Sequence, residues 1–173
     1  MSDPYARTAL SVELGDLIVT VPWVPADRWV SCVTVSPLTV LSGLTSDADG
    51  TAVVERVIDS RLSPEDVARA AYDLLGKAVP FTWWKTVRLL ALSTRPDIAG
   101  HLTLAGLDPR DLTAAQWAMA VYVLVTRNAE SKERFKIDVE FDAPPPGVVE
   151  HDWISDDDFN AMVASARAMP GQS

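Results

Sequence analysis

The sequence predicts a mainly α-helical domain with a short N-terminal β-hairpin and an extended, proline-rich, acidic C-terminal arm that ends in a helix. Three features support this fold class. Apolar residues alternate near the N-terminus, capped apolar stripes with helical spacing follow, and a proline run ends the helical part. The pattern divides the chain into residues 1–142, a hairpin with a helical body, and residues 143–173, the arm.

The pattern of residues 8–22 is typical of two antiparallel strands. Gly15-Asp16 supplies the tight turn, because glycine tolerates positive φ. Pro22 ends the second strand, and the hairpin needs a body to pack on, since isolated hairpins are marginal in water. The alternating apolar residues are Leu10, Val12, Leu14, Leu17, Val19 and Val21.

The sequence indicates the first helices of the body with different clarity. Pro25 is predicted to open a helix at its first position. Residues 34–50 mix β-branched residues with proline and glycine, and they indicate no clear element. Residues 53–58 are predicted to form a short helix. One face of the first helix contains Trp29, Val30 and Val33.

A stronger start signal is Ser63, a capping residue followed by Pro64 at the first helical position. Residues 81–92 predict the next helix. Pro96 begins a shorter helix that stops near Gly106. The apolar stripe of the helix after Ser63 is Val67, Ala71, Leu74, Leu75 and Ala78.

The last part of the body begins with a capping box formed by Thr113 and Gln116. Residues 116–125 are apolar nearly all round, which predicts a buried central helix. A buried strand over residues 121–125 is the alternative interpretation. Residues 129–142 are predicted to form a charged, exposed helix or an extended segment.

The arm begins with Ala143-Pro144-Pro145-Pro146-Gly147, which favours extended backbone. The acidic residues 150–158 follow and contain Trp153. Ser155 caps a final helix, and the aspartates after it complement the helix dipole. One face of this helix contains Phe159, Met162, Val163 and Ala166.

The charge distribution restricts the classes of partner. The net charge is −9, and most of it lies after residue 137. An acidic chain lacks the clustered Lys and Arg that nonspecific nucleic-acid binding requires, so no nucleic acid is expected, whereas a basic protein partner remains compatible. The sequence contains neither a secretory signal nor an apolar run long enough to span a membrane, and it has one cysteine, so a cytoplasmic location is expected.

The residues predict no catalytic, metal or cofactor site, and hence no enzyme. His101 and His151 lack convergent ligands in sequence. Cys32 stands among apolar neighbours and is interpreted as a small buried hydrophobe. Neither a nucleophile elbow nor a glycine-rich phosphate loop occurs.

The tryptophans are the strongest candidates for contacts with a partner. Trp29, Trp84 and Trp117 fit core positions. Trp83 points about 100° away from Trp84 on a helix, so it is free to face a groove or a partner. Trp153 is either an aromatic interface anchor or a residue that folds back on the body.

Several local sequences together resemble the tail assembly chaperones of siphophages that infect actinobacteria. The similarity extends from about Val21 to the final helix. It is carried by Val21-Pro22-Trp23 with Pro25 and Trp29, Trp83-Trp84 with Arg88-Leu89-Leu90, Leu104-Ala105-Gly106-Leu107-Asp108-Pro109, Gln116-Trp117 with Ala120 and Tyr122, Arg134-Phe135-Lys136-Ile137-Asp138, and Pro144-Pro145-Pro146-Gly147.

This resemblance implies a non-catalytic protein that coats the tape measure protein in the host bacterial cytoplasm and is absent from the mature virion. It also implies a longer form of the same chain, made by programmed frameshifting, as a second partner. Many copies that each bind one long client weakly would gain avidity, and self-association of the chain is compatible with this role.

We therefore hypothesise that a set of aromatic and apolar residues binds the client or further copies of the chain. The alternative is an acidic interaction protein that binds a host factor as a regulator or inhibitor, for which a basic partner would be expected. The hypothesised partner-binding residues are Trp83, Trp153, Phe159, Met162 and Val163.

Overall fold

A computed structural model of the chain describes residues 7–144. Within this range a two-stranded antiparallel hairpin precedes a series of helices, which confirms the predicted fold class. The strands are β1 (Leu10–Leu14) and β2 (Leu17–Val21). The helices are α1 (Ala26–Val33), α2 (Pro37–Gly43), α3 (Asp47–Ile58), α4 (Pro64–Ala78), α5 (Trp83–Leu92), α6 (Pro96–Leu104), α7 (Ala114–Thr126) and α8 (Ser131–Asp142).

The predicted C-terminal arm lies almost entirely outside the described residues. The same holds for the final helix expected after Ser155. Among the hypothesised partner-binding residues, those outside the described part are Trp153, Phe159, Met162 and Val163.

The hairpin forms as the sequence predicts. Gly15 has a φ of 62° in the turn, and Leu14 pairs with Leu17 across it. β1 packs against α4, where the Lys77 ammonium donates a hydrogen bond to the Ser11 carbonyl at 3.0 Å. The hairpin thus has the supporting body that two strands need. Its buried residues are Val12, Leu14, Val19 and Val21.

Residues 34–50, which indicated no clear element, contain α2 and the start of α3. The Ser36 hydroxyl caps α2 and the Ser46 hydroxyl caps α3, each by accepting a backbone N–H bond. Gly50 lies inside α3, and a Cβ at this position would stand 2.5 Å from the Ser42 carbonyl oxygen. This glycine therefore permits close packing of the two helices. The short helix predicted over residues 53–58 is wrong in length, since α3 begins at Asp47.

Two predicted helix starts are displaced by one or two residues. Pro25 is the extended residue before α1, which begins at Ala26. The helix predicted over residues 81–92 begins at Trp83, because the Thr82 hydroxyl caps it by accepting the Lys85 N–H at 3.3 Å. The strand alternative for residues 121–125 is wrong, since α7 is helical throughout. Of the two alternatives for residues 129–142, the helix is correct, and α8 begins two residues later than predicted, at Ser131.

Helix α4 lies at the centre of the core. Ser63 and Asp66 form a capping box at its start. The helix packs against α2, β1 and α5. Trp29 and Trp117 are buried as predicted, whereas Trp84 is half-buried. The predicted stripe of α4 is buried throughout, at Val67, Ala71, Leu74, Leu75 and Ala78.

Candidate functional site

Helix α7 buries only one of its apolar faces. Thr113 and Gln116 form the predicted capping box at its start. Trp117 and Val121 pack in the core, but Val123 is 56% exposed. The prediction of a buried central helix is therefore wrong for the side away from the core, where Met119 and Val123 line a depression. The half-buried Ala120 and Leu124 line its inner edge and also pack against the core.

Helix α6 ends in a tight turn that brings the following residues back against the last turn of the helix. Gly106 has a φ of 76°, a conformation that glycine adopts without strain. The Gly106 N–H donates to the Thr103 carbonyl at 2.9 Å, and the Leu107 N–H donates to the Leu102 carbonyl at 3.0 Å. These two bonds form a Schellman motif, which typically brings together apolar side chains on either side of the turn. Leu102 and Leu107 accordingly line the same depression.

The open apolar depression between these elements is the α6–α7 groove. Its volume is about 530 Å³. Leu104, also on α6, is 88% exposed. Exposed apolar surface of this kind, with polar residues at its edge, is typical of contacts with another protein segment. The groove is lined by His101, Leu102, Ala105, Leu107, Gln116, Met119, Ala120, Val123, Leu124 and Arg127.

The electrostatic character of the α6–α7 groove differs from that of the whole chain. None of its described lining residues is acidic, although the net charge of the chain is −9. Arg127 follows the last turn of α7, and its guanidinium forms no ion pair with any residue between 7 and 144. The groove is therefore suited to an apolar helix that carries an acidic residue beside its apolar face.

Trp83 is the one hypothesised partner-binding residue that the structure describes. It is half-buried in the first turn of α5, and its ring centroid lies 4.2 Å from that of Tyr72. It does not line the α6–α7 groove. Any contact with a partner uses the part of the indole that stays exposed.

A polar cluster attaches α8 to the body, and we name Lys85, Tyr122 and Asp138 the α8 clamp. The Lys85 ammonium lies 2.6 Å from the Asp138 carboxylate, to which the Tyr122 hydroxyl donates at 2.9 Å. The ammonium also stands 4.5 Å from the Tyr122 ring centroid. The hydrogen bond from Lys85 lowers the pKa of Asp138, and burial raises the pKa of Tyr122.

The C-terminal end of α8 is held by a further set of polar contacts. Arg88 donates to the Glu140 carbonyl and, at 2.7 Å, to the Phe141 carbonyl. Thr82 donates to the Asp142 carboxylate. None of the α8 side chains is fully buried, so α8 is positioned largely by hydrogen bonds and charge.

The residues with catalytic or ligating chemistry do not converge in the described part of the chain. Cys32 is buried, as predicted, and burial raises the pKa of its thiol. His101 is exposed at the α6–α7 groove. Across residues 7–144, no three His, Cys, Asp or Glu side chains are placed to hold a metal ion.

Comparisons with family models, curated proteins and solved structures each found no match to this chain. None of the helices between residues 7 and 144 combines the length and the apolar character that crossing a bilayer requires.

Proposed function

We propose that this chain is a tail assembly chaperone that binds the tape measure protein and keeps it soluble during phage tail assembly, without catalysis. The α6–α7 groove is the observation that carries this proposal. A tape measure protein contains long helices whose apolar faces stay exposed until the tail tube forms around them. The α6–α7 groove is apolar, and none of its described lining residues is acidic. Such a groove can bind the apolar face of successive turns of a client helix.

The sequence resemblance supports the same role from an independent direction. It implies a site of action in the host bacterial cytoplasm and absence from the finished virion. It also implies that a longer frameshifted form of the chain takes part. Trp83, with Trp153 and the apolar residues Phe159, Met162 and Val163 of the arm, provides further contact surface in this proposal.

Co-expression with the tape measure protein of the same phage tests the function. We expect the tape measure protein to stay soluble and to co-purify with several copies of the chain. Val123→Asp should reduce the recovered tape measure protein at least about tenfold, because it places a charge on the apolar groove face. Ile58→Asp is the matched control, since Ile58 is 75% exposed and does not line the groove.

Equal recovery with both variants would show that the groove does not bind the client. A tape measure protein that stays insoluble with both the short chain and the longer frameshifted form would reject the chaperone function itself. Retention of a basic host protein in the same pull-down would then favour the alternative of an acidic regulator.

A further inference from the structure

The outward side of α8 presents an apolar pair that nothing in the described chain covers. Phe135 is 68% exposed and Val139 is 54% exposed. Residues four apart lie on the same face of a helix, so these two side chains form one patch. The body side of α8 is marked by its half-buried residues Ile137, Asp138 and Phe141, and the patch points away from the middle of that side.

The charges around this patch are sorted by sign along the helix. Lys132 and Lys136 stand in the N-terminal half, and Glu140 and Asp142 stand in the C-terminal half. Neither lysine forms an ion pair with a residue between 7 and 144. Glu133 is the exception to the sorting, and its carboxylate accepts the Glu130 N–H at the helix start. The outward face is thus basic at one end, apolar in the middle and acidic at the other end.

We propose that α8 pairs with α8 of a second copy of the chain, antiparallel and across a twofold axis near Ile137. In this arrangement Phe135 packs against Val139 of the second copy. Lys132 precedes Phe135 by three residues, and Asp142 follows Val139 by three residues. Each interval is about 4.5 Å along the axis, so Lys132 comes level with Asp142 of the second copy. The Oδ1 of Asp142 accepts the Thr82 hydroxyl of its own chain, and its Oδ2 is the oxygen that faces the lysine in this pairing. The symmetry repeats this ion pair at the other end.

The charge pattern selects both the orientation and the occupant. A parallel, in-register pair would place Lys132 beside Lys132 of the second copy and Asp142 beside Asp142 of the second copy. Like charges would then repel at both ends. A twofold interface requires a patch that is complementary to itself, and a basic end opposite an acidic end satisfies this requirement only in the antiparallel orientation. The second copy is therefore the partner that this face fits.

The pairing is weak because the helix is short. Twelve residues extend roughly 18 Å, which buries less surface than a permanent dimer requires. Such contacts are effective where copies are held close together, as they are along one client. The oligomeric state is measured without a client, so this inference and the proposed function fail separately.

Sedimentation equilibrium over a concentration series tests the pairing. We expect the full chain to show a reversible monomer–dimer equilibrium. Phe135→Ser should raise the dimer dissociation constant at least about tenfold, since each dimer loses two buried phenylalanines. Ile58→Ser removes a similarly exposed apolar side chain from α3 and should leave the dissociation constant unchanged. A monomer at every concentration, or equal losses in both variants, would reject the inference.

Charge reversal tests the ion pairs. Lys132→Glu should raise the dissociation constant about threefold or more, because two attractive pairs become repulsive. Adding Asp142→Lys should restore it, provided that circular dichroism shows intact helices in each variant. Weakening that the second substitution does not reverse would exclude this register.

Site-directed cross-linking reports the orientation directly. In a Cys32→Ala background, a mixture of the Lys132→Cys and Asp142→Cys chains should form a disulfide-linked heterodimer under mild oxidation. Each variant alone should stay uncross-linked. Efficient cross-linking of each variant with itself would indicate a parallel pair and overturn the proposal.

Discussion

Individual residues in this chain are explained by what lies beside them in space. Gly43 and Gly50 look like helix breakers in sequence, yet Gly43 is the last residue of α2 and Gly50 lies inside α3. A Cβ on Gly43 would stand 2.9 Å from the Cys32 sulfur, and one on Gly50 would meet backbone. Each glycine is therefore a close-packing residue, a role that only neighbouring elements reveal.

Substituting two helical glycines should change stability in opposite directions. Gly50→Ala forces a Cβ against the Ser42 carbonyl and should lower the free energy of unfolding by about 1–3 kcal/mol. Gly76→Ala is the control, because no atom from beyond its chain neighbours and its own helix backbone lies within 4 Å of the added Cβ. This substitution should raise the free energy of unfolding by about 0.5–1 kcal/mol. Urea unfolding measures both. Equal changes would contradict the packing explanation.

Among the elements, α7 differs from what its sequence indicates, and α8 decides between two alternatives that its sequence left open. The apolar composition of α7 predicts complete burial, but the core covers only the side that includes Trp117 and Val121. The groove residues Met119 and Val123, on the side away from the core, were therefore missed. The one signal that pointed to them was an apolar helix surface too wide for a single packing face. The charged sequence of α8 left helix and extended segment open, and the α8 clamp shows how such a helix docks.

The attachment of α8 should depend on pH. The pKa of Asp138 is lowered in the folded protein, so its stabilisation is present above the unfolded value of about 4 and is lost as the pH falls through the folded value. Asp138→Asn should lower the free energy of unfolding by about 1–3 kcal/mol at pH 7. The difference from the wild type should shrink below about pH 4.

Urea unfolding at several pH values provides the measurement. Asp73→Asn is the control, because the pair of Asp73 with Lys77 is well exposed and contributes only about 0.2–1 kcal/mol. A difference for Asp138→Asn that stays constant from pH 7 to pH 3 would show that the carboxylate charge is not responsible.

At the scale of the whole molecule, the hairpin and the helices share one hydrophobic core. This core contains residues from both strands and from helices α1 to α7, whereas α8 contributes only partly buried contacts. The described helices and strands fall within a unit that ends at Ala143. A shared core predicts cooperative unfolding of these elements.

A cavity in the centre of this core should destabilise all of these elements together. Leu74→Ala, at a fully buried position of α4, should lower the free energy of unfolding by about 2–5 kcal/mol without changing the urea dependence. Leu104→Ala should change it by no more than about 0.5 kcal/mol, because Leu104 is 88% exposed. Separate transitions by far-UV and near-UV circular dichroism would contradict a single cooperative core.

The sequence by itself determined the fold class, the hairpin with its turn, and the helices that begin with capping residues such as Ser63 and Thr113. These features depend on contacts within a few residues, so local spacing is sufficient to predict them. Only the tertiary structure decided which face of α7 stays open, why Gly50 is required, and how α8 docks. Those outcomes depend on residues that are far apart in the chain and that packing brings together, so local sequence patterns cannot predict them.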